Sequence, residues 1–224
     1  MVLSPRVKVC GLTRLQDAVA ALDAGADRIG MIFYPGSPRY ITAAKAQGLL
    51  TIIPPDKRTA VMVMPTASVL AGLKALGFRY FQIHCASDTP VRQLAEWRDI
   101  VGPEHLWLAP RLKPGERFPR AFLRWAESFL IDSYSERHYG GSGRVGDWFR
   151  FRELQREFSG KMWILAGGLT PDNIAKALEV SQARFVDVNS GVESVPGVKA
   201  AGKIRALFQV LRKSPSPWCS TQSG

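Results

Sequence analysis

Eight short apolar runs alternate with eight amphipathic stretches along this chain, and that alternation restricts its fold more than any other feature. The strand-like runs fall at 6–10, 28–33, 59–64, 79–83, 105–109, 128–132, 162–166 and 184–188. Helical periodicity occupies 14–24, 42–52, 67–76, 90–99, 117–125, 147–158, 171–179 and 198–212. Eight strand–helix units within 224 residues match the count of an eightfold (β/α)8 barrel, at the compact end of its size range. A doubly wound open sheet uses the same alternation, so the count favours the barrel without excluding the sheet. Junction residues agree with the division. Gly25 stands where a helix over 14–24 would stop, Thr170-Pro171-Asp172 reads as a helix start, and Asp147-Trp148 opens another helix. The barrel is expected to span 1–213, and the polar segment 214–224 to be a disordered tail.

Composition excludes several classes. No apolar stretch reaches the roughly 18 uncharged residues of a membrane helix, and residues 1–6 contain no apolar core of a signal peptide. Three cysteines, Cys10, Cys85 and Cys219, are an odd number without metal-ligand spacing. They imply a reducing, cytoplasmic setting, no disulfide framework and no metal. The net charge is +11, but Lys and Arg are scattered, and the densest spots, at 57–58 and 111–113, are not interleaved with aromatics. Such a surface aids solubility or attracts an anionic small molecule; nucleic acid and membrane are not expected as partners.

Two strand exits carry chemistry. The run 6–10 ends in Cys10 and the run 128–132 ends in Asp132, each followed by turn residues. In a barrel of parallel strands such positions converge on one mouth, and a thiolate and a carboxylic acid are a competent base and acid. The alternative for Cys10 is a buried, inert core cysteine. Strand alternation puts Lys8 one layer below Cys10, where it needs Asp187 or Asp132 as a partner and would lower the thiol pKa. By the same rule His84 goes with Gln82, and Asn189 with Asp187. Gly167-Gly168 and Ser190-Gly191 follow the last two strands, where eightfold barrels commonly bind phosphate. Arg39, in the proline-containing loop after the second strand, can offer a forked donor to a carboxylate. The glycine-rich stretch 139–144 reads as a flap.

These segments together resemble the phosphoribosylanthranilate isomerase family of tryptophan biosynthesis. The resemblance runs from Val7 to about Leu211 through KVCGLT (8–13), DRIGMIFY (27–34), SPRY (37–40), QIH (82–84), Asp132, GGSG (140–143), LAGGLTP (165–171) and VDVNSGVE (186–193). It implies an Amadori rearrangement with Cys10 as general base and Asp132 as general acid. It further implies phosphate at Gly167, Gly168, Ser190 and Gly191, the anthranilate carboxylate near Arg39, and sugar contacts from Asp187 and His84. No cofactor is implied; the partner is a phosphorylated small molecule, and the assembly a monomer or homodimer. The chain departs from the family at Cys85-Ala86-Ser87 and at Asn189, where serine is frequent. The related isomerase of histidine biosynthesis is the nearest enzymatic rival, but its pattern has an aspartate where Cys10 stands. A silent barrel that binds nucleic acid is the rival from another class.

Overall fold

The structure is a computed structural model that describes residues 4–113, 115–132 and 147–213. Strands β1 (Arg6–Val9), β2 (Arg28–Ile32), β3 (Arg58–Val63), β4 (Tyr80–Ala86), β5 (Leu106–Arg111), β6 (Ser128–Ile131), β7 (Met162–Leu165) and β8 (Phe185–Val188) pair in sequence order. Every pairing is parallel, and β8 returns to β1 through Lys8 opposite Asp187 and Val9 opposite Val188. Closure decides between barrel and open sheet. The outer ring is made by α1 (Leu15–Ala24), α2 (Ala43–Leu50), α3 (Ala67–Ala75), α4 (Val91–Val101), α5 (Trp148–Glu157), α6 (Ile174–Ser181) and α7 (Ala201–Lys213).

Alternation along each strand produces two separate cores. Outward residues such as Val7, Val9, Met31, Phe81, Leu108 and Val186 pack with the helices. Inward residues Trp107, Ala109, Leu130, Ile164, Ala166 and Phe185 form a second cluster inside the barrel. A one-residue slip in β1 would exchange Lys8 and Cys10 for valines, so the apolar pattern holds the register that aims them inward. α1 ends as expected: Gly25 takes φ 102°, and its N–H caps the carbonyls of Ala21 and Leu22.

Three local expectations need correction. Where a fifth-unit helix was expected over 117–125, the chain forms only a 3₁₀ turn at Arg120–Arg124. Pro119 lacks an N–H and fixes φ, so a helix cannot run through it. The bonds beyond it span three residues, Phe122 to Pro119 and Trp125 to Phe122, each 2.9 Å. The expected helix start at Thr170-Pro171 is displaced to Ile174, with Asn173 as the N-cap residue. Asn173 holds the preceding turn instead, accepting from the Thr170 amide (2.9 Å) and donating to the Gly168 carbonyl (2.8 Å). Finally, the apolar stretch from 198 is not yet helix. Val198–Lys199 is β10, antiparallel to β9 (Glu193–Val195), and this hairpin separates β8 from α7.

No helix among the described residues is long and apolar enough to cross a membrane. The expected flap at 139–144, Cys219 and the tail 214–224 lie outside the described residues.

Candidate active site

The C-terminal ends of the strands surround a pocket that opens to solvent. Cys10, Arg39, His84, Asp132, Gly167, Gly168, Asp187, Ser190 and Gly191 all line it, so the expected acid, base, sugar, carboxylate and phosphate residues meet in one place. Cys10 is the residue immediately after β1, tied to β8 by its amide on the Val188 carbonyl at 2.9 Å. Asp132 immediately follows β6 and is half-buried.

Beneath Cys10 lies a buried polar chain. Lys8 is fully buried and donates to Gln82 Oε1 (2.6 Å) and Asp187 Oδ2 (3.0 Å). Of the two candidate partners, Asp187 is therefore the one that Lys8 uses. Burial works against its charge, but Asp187 and then Cys10 outweigh that cost and hold the Lys8 ammonium above its ordinary pKa. An ammonium only donates, so the end of Gln82 facing Lys8 is its oxygen, and its NH2 faces His84 Nε2 at 2.9 Å. Burial, aided by the Lys8 charge, pulls His84 down to about 4, leaving it neutral near pH 7. Its Nε2 must then accept from Gln82, which puts the ring proton on Nδ1. Asp187 Oδ1 is buried without a hydrogen-bond partner among the described residues, and its residue lines the pocket. It is an acceptor suited to a ligand hydroxyl.

Cys10 differs from expectation in one respect. It is only 2% exposed, not at an open mouth. Burial pushes its thiol up; Lys8 pulls it down, Asp187 adds to the rise, and Lys199 pulls down again, with the net result upward. Lys8 acts in the direction expected of it, but desolvation wins. Space for this arrangement comes from Gly30 on β2, which the sequence reading passed over. A Cβ there would lie 2.8 Å from Lys8 Cε and 2.9 Å from Cys10 Sγ.

The turns after β7 and β8 are both shaped by glycine. Gly167 and Gly168 take φ of 92° and 63°, a region L side chains rarely adopt. A Cβ on Gly191 would stand 1.9 Å from the Leu169 carbonyl oxygen, so the second turn is seated directly against the backbone of the first. Ser190–Val192 forms a single 3₁₀ turn.

Arg39 lines the pocket wall, but its fork is engaged inside the protein. Nε donates to Glu193 Oε1 (2.9 Å) and Oε2 (3.1 Å), and Nη2 to Oε2 (2.7 Å). A ligand carboxylate would therefore meet the opposite, Nη1-bearing edge. Neither Glu193 nor its neighbour Lys199 was singled out from the sequence as a site residue. Their signal lies in the end of the VDVNSGVE segment and in a lysine that a helical reading of 198–212 would place at a helix start. Cys85, one of the departures from the family pattern, faces the outer core, where burial pushes it up to about 12. It takes no part in the pocket lining.

The chain is similar to known proteins over nearly its whole length. The model of the N-(5'-phosphoribosyl)anthranilate isomerase family matches residues 7–210. The isomerase of that name from Neisseria gonorrhoeae is 36% identical over 211 residues, covering 93% of this chain and 97% of the relative. The crystal structure of the Thermotoga maritima isomerase superposes with a TM-score of 0.79 at 31% identity, covering 95% of this chain and 99% of that one. A phosphoribosylanthranilate isomerase in complex with reduced 1-(o-carboxyphenylamino)-1-deoxyribulose 5-phosphate superposes with a TM-score of 0.76 at 28% identity, covering 95% and 99%.

Proposed function

Since the chain belongs to the phosphoribosylanthranilate isomerase family, we propose how its residues divide the family's reaction. The enzyme converts N-(5-phosphoribosyl)anthranilate into 1-(2-carboxyphenylamino)-1-deoxyribulose 5-phosphate, an aldose–ketose isomerisation in tryptophan biosynthesis. Asp132 is the general acid. It protonates the ribose ring oxygen, the C1–O bond breaks, and the furanose opens to a Schiff base. Cys10 is the general base. Its thiolate removes the C2 proton, the electrons move into the C1–C2 bond, and the resulting enolamine tautomerises to the ketone. The ring oxygen and C1 each gain a proton while C2 and the hydroxyl it carries each lose one, so the rearrangement balances by proton transfer alone.

The observation that carries this division is the meeting of Cys10 and Asp132 in the pocket that also contains both glycine turns. A phosphate held at Gly167, Gly168, Ser190 and Gly191 anchors the substrate away from the bonds that change. Such remote binding orients the ribose between acid and base. Asp187 Oδ1 accepts a sugar hydroxyl and His84 donates through Nδ1–H. Arg39 offers its outer edge to the anthranilate carboxylate, and Lys8 is the cation that favours the thiolate on Cys10.

Cys10→Ala and Asp132→Asn test the roles directly. Each is expected to cut turnover by about 10² to 10⁴, followed by loss of the substrate's anthranilate fluorescence, with circular dichroism unchanged. Near-normal turnover in either variant would remove that residue from the mechanism.

A further inference from the structure

Arg39 can recognise a carboxylate only if its guanidinium is held still, and the means of holding it lie outside the pocket. Arg39 is 9% exposed, so its charge must be neutralised inside the protein. Glu193, also buried, takes both nitrogens of one edge of the fork. The same carboxylate accepts from Lys199 Nζ at 2.8 Å and from the Gly197 amide at 3.2 Å. Lys199 in turn donates to the Asn189 carbonyl (3.1 Å) and side-chain oxygen (2.8 Å). Thus Arg39 and Asn189, both on the pocket wall, are joined by a Glu–Lys pair that does not touch the pocket.

The hairpin that supplies this pair is itself fastened at several points. Glu193 and Lys199 sit opposite each other in the register of β9 and β10. The Lys199 amide donates to Asp17 Oδ2 (3.0 Å), and Thr13 Oγ1 donates to the Gly197 carbonyl (2.7 Å). Gly11, beside Cys10, leaves the passage open. A Cβ there would lie 2.7 Å from Asn189 Oδ1 and 2.8 Å from Arg39 Cδ. The β9–β10 insertion therefore reaches the carboxylate-recognising arginine through the side chains of Glu193 and Lys199, which bond to other residues of the protein.

We infer that Glu193, backed by Lys199, is a positioning and specificity-determining residue of this isomerase: it aims the free edge of Arg39 at the anthranilate carboxylate. The inference rests on the reading of Arg39 as the carboxylate-binding group. Glu193 acts through Arg39, so its removal is felt as lost substrate binding. An analogue with aniline in place of anthranilate, which has no carboxylate to meet, is indifferent to it.

Steady-state kinetics on Glu193→Gln, Arg39→Lys and the double variant test this, with both the natural substrate and the aniline analogue. Glu193→Gln is expected to raise KM for the natural substrate by about 10- to 100-fold, the loss of a charge-assisted contact, with a smaller fall in kcat. The analogue's KM should not move, and the double variant should be no worse than Arg39→Lys alone. Glu193→Asp, which keeps the charge but withdraws it by one carbon, should show the same split and guards against a folding failure of the Gln variant. If Arg39→Lys itself leaves KM unchanged, the reading of Arg39 fails and the inference with it. If Arg39→Lys raises KM but both Glu193 variants leave it unchanged, or affect the analogue equally, Glu193 is structural only and the inference is overturned.

Discussion

The two ends of the barrel interior are built on the same strands with opposite chemistry. At the C-terminal end β1, β4 and β8 contribute Lys8, Gln82, His84 and Asp187, joined by hydrogen bonds and by a direct ion pair. At the N-terminal end the same strands contribute Arg6, Tyr80 and Phe185. There the Arg6 guanidinium lies 4.9 Å from the Phe185 ring centre, and that of Arg28 lies 4.5 Å from the Tyr80 ring centre. Trp107 packs edge-on to Phe185 with ring centres 5.5 Å apart. One end settles buried charge with opposite charge; the other lays partly solvated cations over aromatic faces. The difference teaches that stability and chemistry are separable along a single strand within a step of two residues, because each such step moves one layer along the barrel.

The sharpest way to break that separation is to hollow the lower end. Trp107→Ala removes a fully buried indole whose Nε1 has no hydrogen-bond partner among the described residues, so the loss is one of packing. Chemical denaturation should show a destabilisation of about 3–5 kcal/mol, while kcat of the folded fraction stays near wild type. A large fall in kcat would mean that the two ends communicate.

Lys8→Met probes the upper end. The thiol of Cys10 is already raised by burial and restrained by Lys8, so removing that cation raises it further. With Cys10 acting as thiolate, as proposed, log kcat/KM rises with pH until the thiol is ionised, and the ascending limb should move to higher pH in the variant. At pH 7 kcat/KM should drop by about 10- to 100-fold. An unmoved limb would show that Lys8 serves Gln82 and Asp187 and not the thiol.

The helical alternation and the alternating valines of β1 made the barrel, the inward set and the meeting of Cys10 with Asp132 legible before any coordinates. Local rules failed where a competing contact overrode them. Thr170 looked like a cap, but the Asn173 side chain occupies the turn. Val198 and Lys199 looked helical, but a two-residue strand carries no periodicity to read. The burial of Cys10 was likewise invisible, since depth depends on what Gly30 omits and not on what neighbours in sequence contain. Glu193 stood in a recognisable segment, yet its contact with Arg39 spans 154 positions.

A gentler test concerns the glycine turns. Inorganic phosphate should protect the wild type against thermal unfolding by mass action, and a Gly168→Val variant less. At φ 63° a β-branched residue is strained as well as crowding the anion. Equal protection at saturating and subsaturating phosphate would place the anion elsewhere.

The smallest expected effect is that of salt. The substrate carries phosphate and carboxylate and the protein a net +11, so kcat/KM should fall a few-fold as ionic strength rises from about 10 to 150 mM. The fall requires encounter to limit the rate in part. A flat profile under diffusion-limited conditions would confine the useful charge to the pocket wall.

Gly30 has a consequence for anyone who wishes to redesign this catalyst. Its φ is ordinary, so what it contributes is an omitted volume: a notch in one strand that accommodates two side chains from the next. Positions 8, 10 and 30 therefore form a single steric unit, and a library that randomises the proposed base at position 10 while treating 30 as neutral scaffold would sample mostly collisions. Exchanging the base for another acid–base group becomes a three-position problem, in which the residue with no side chain sets the size of the other two.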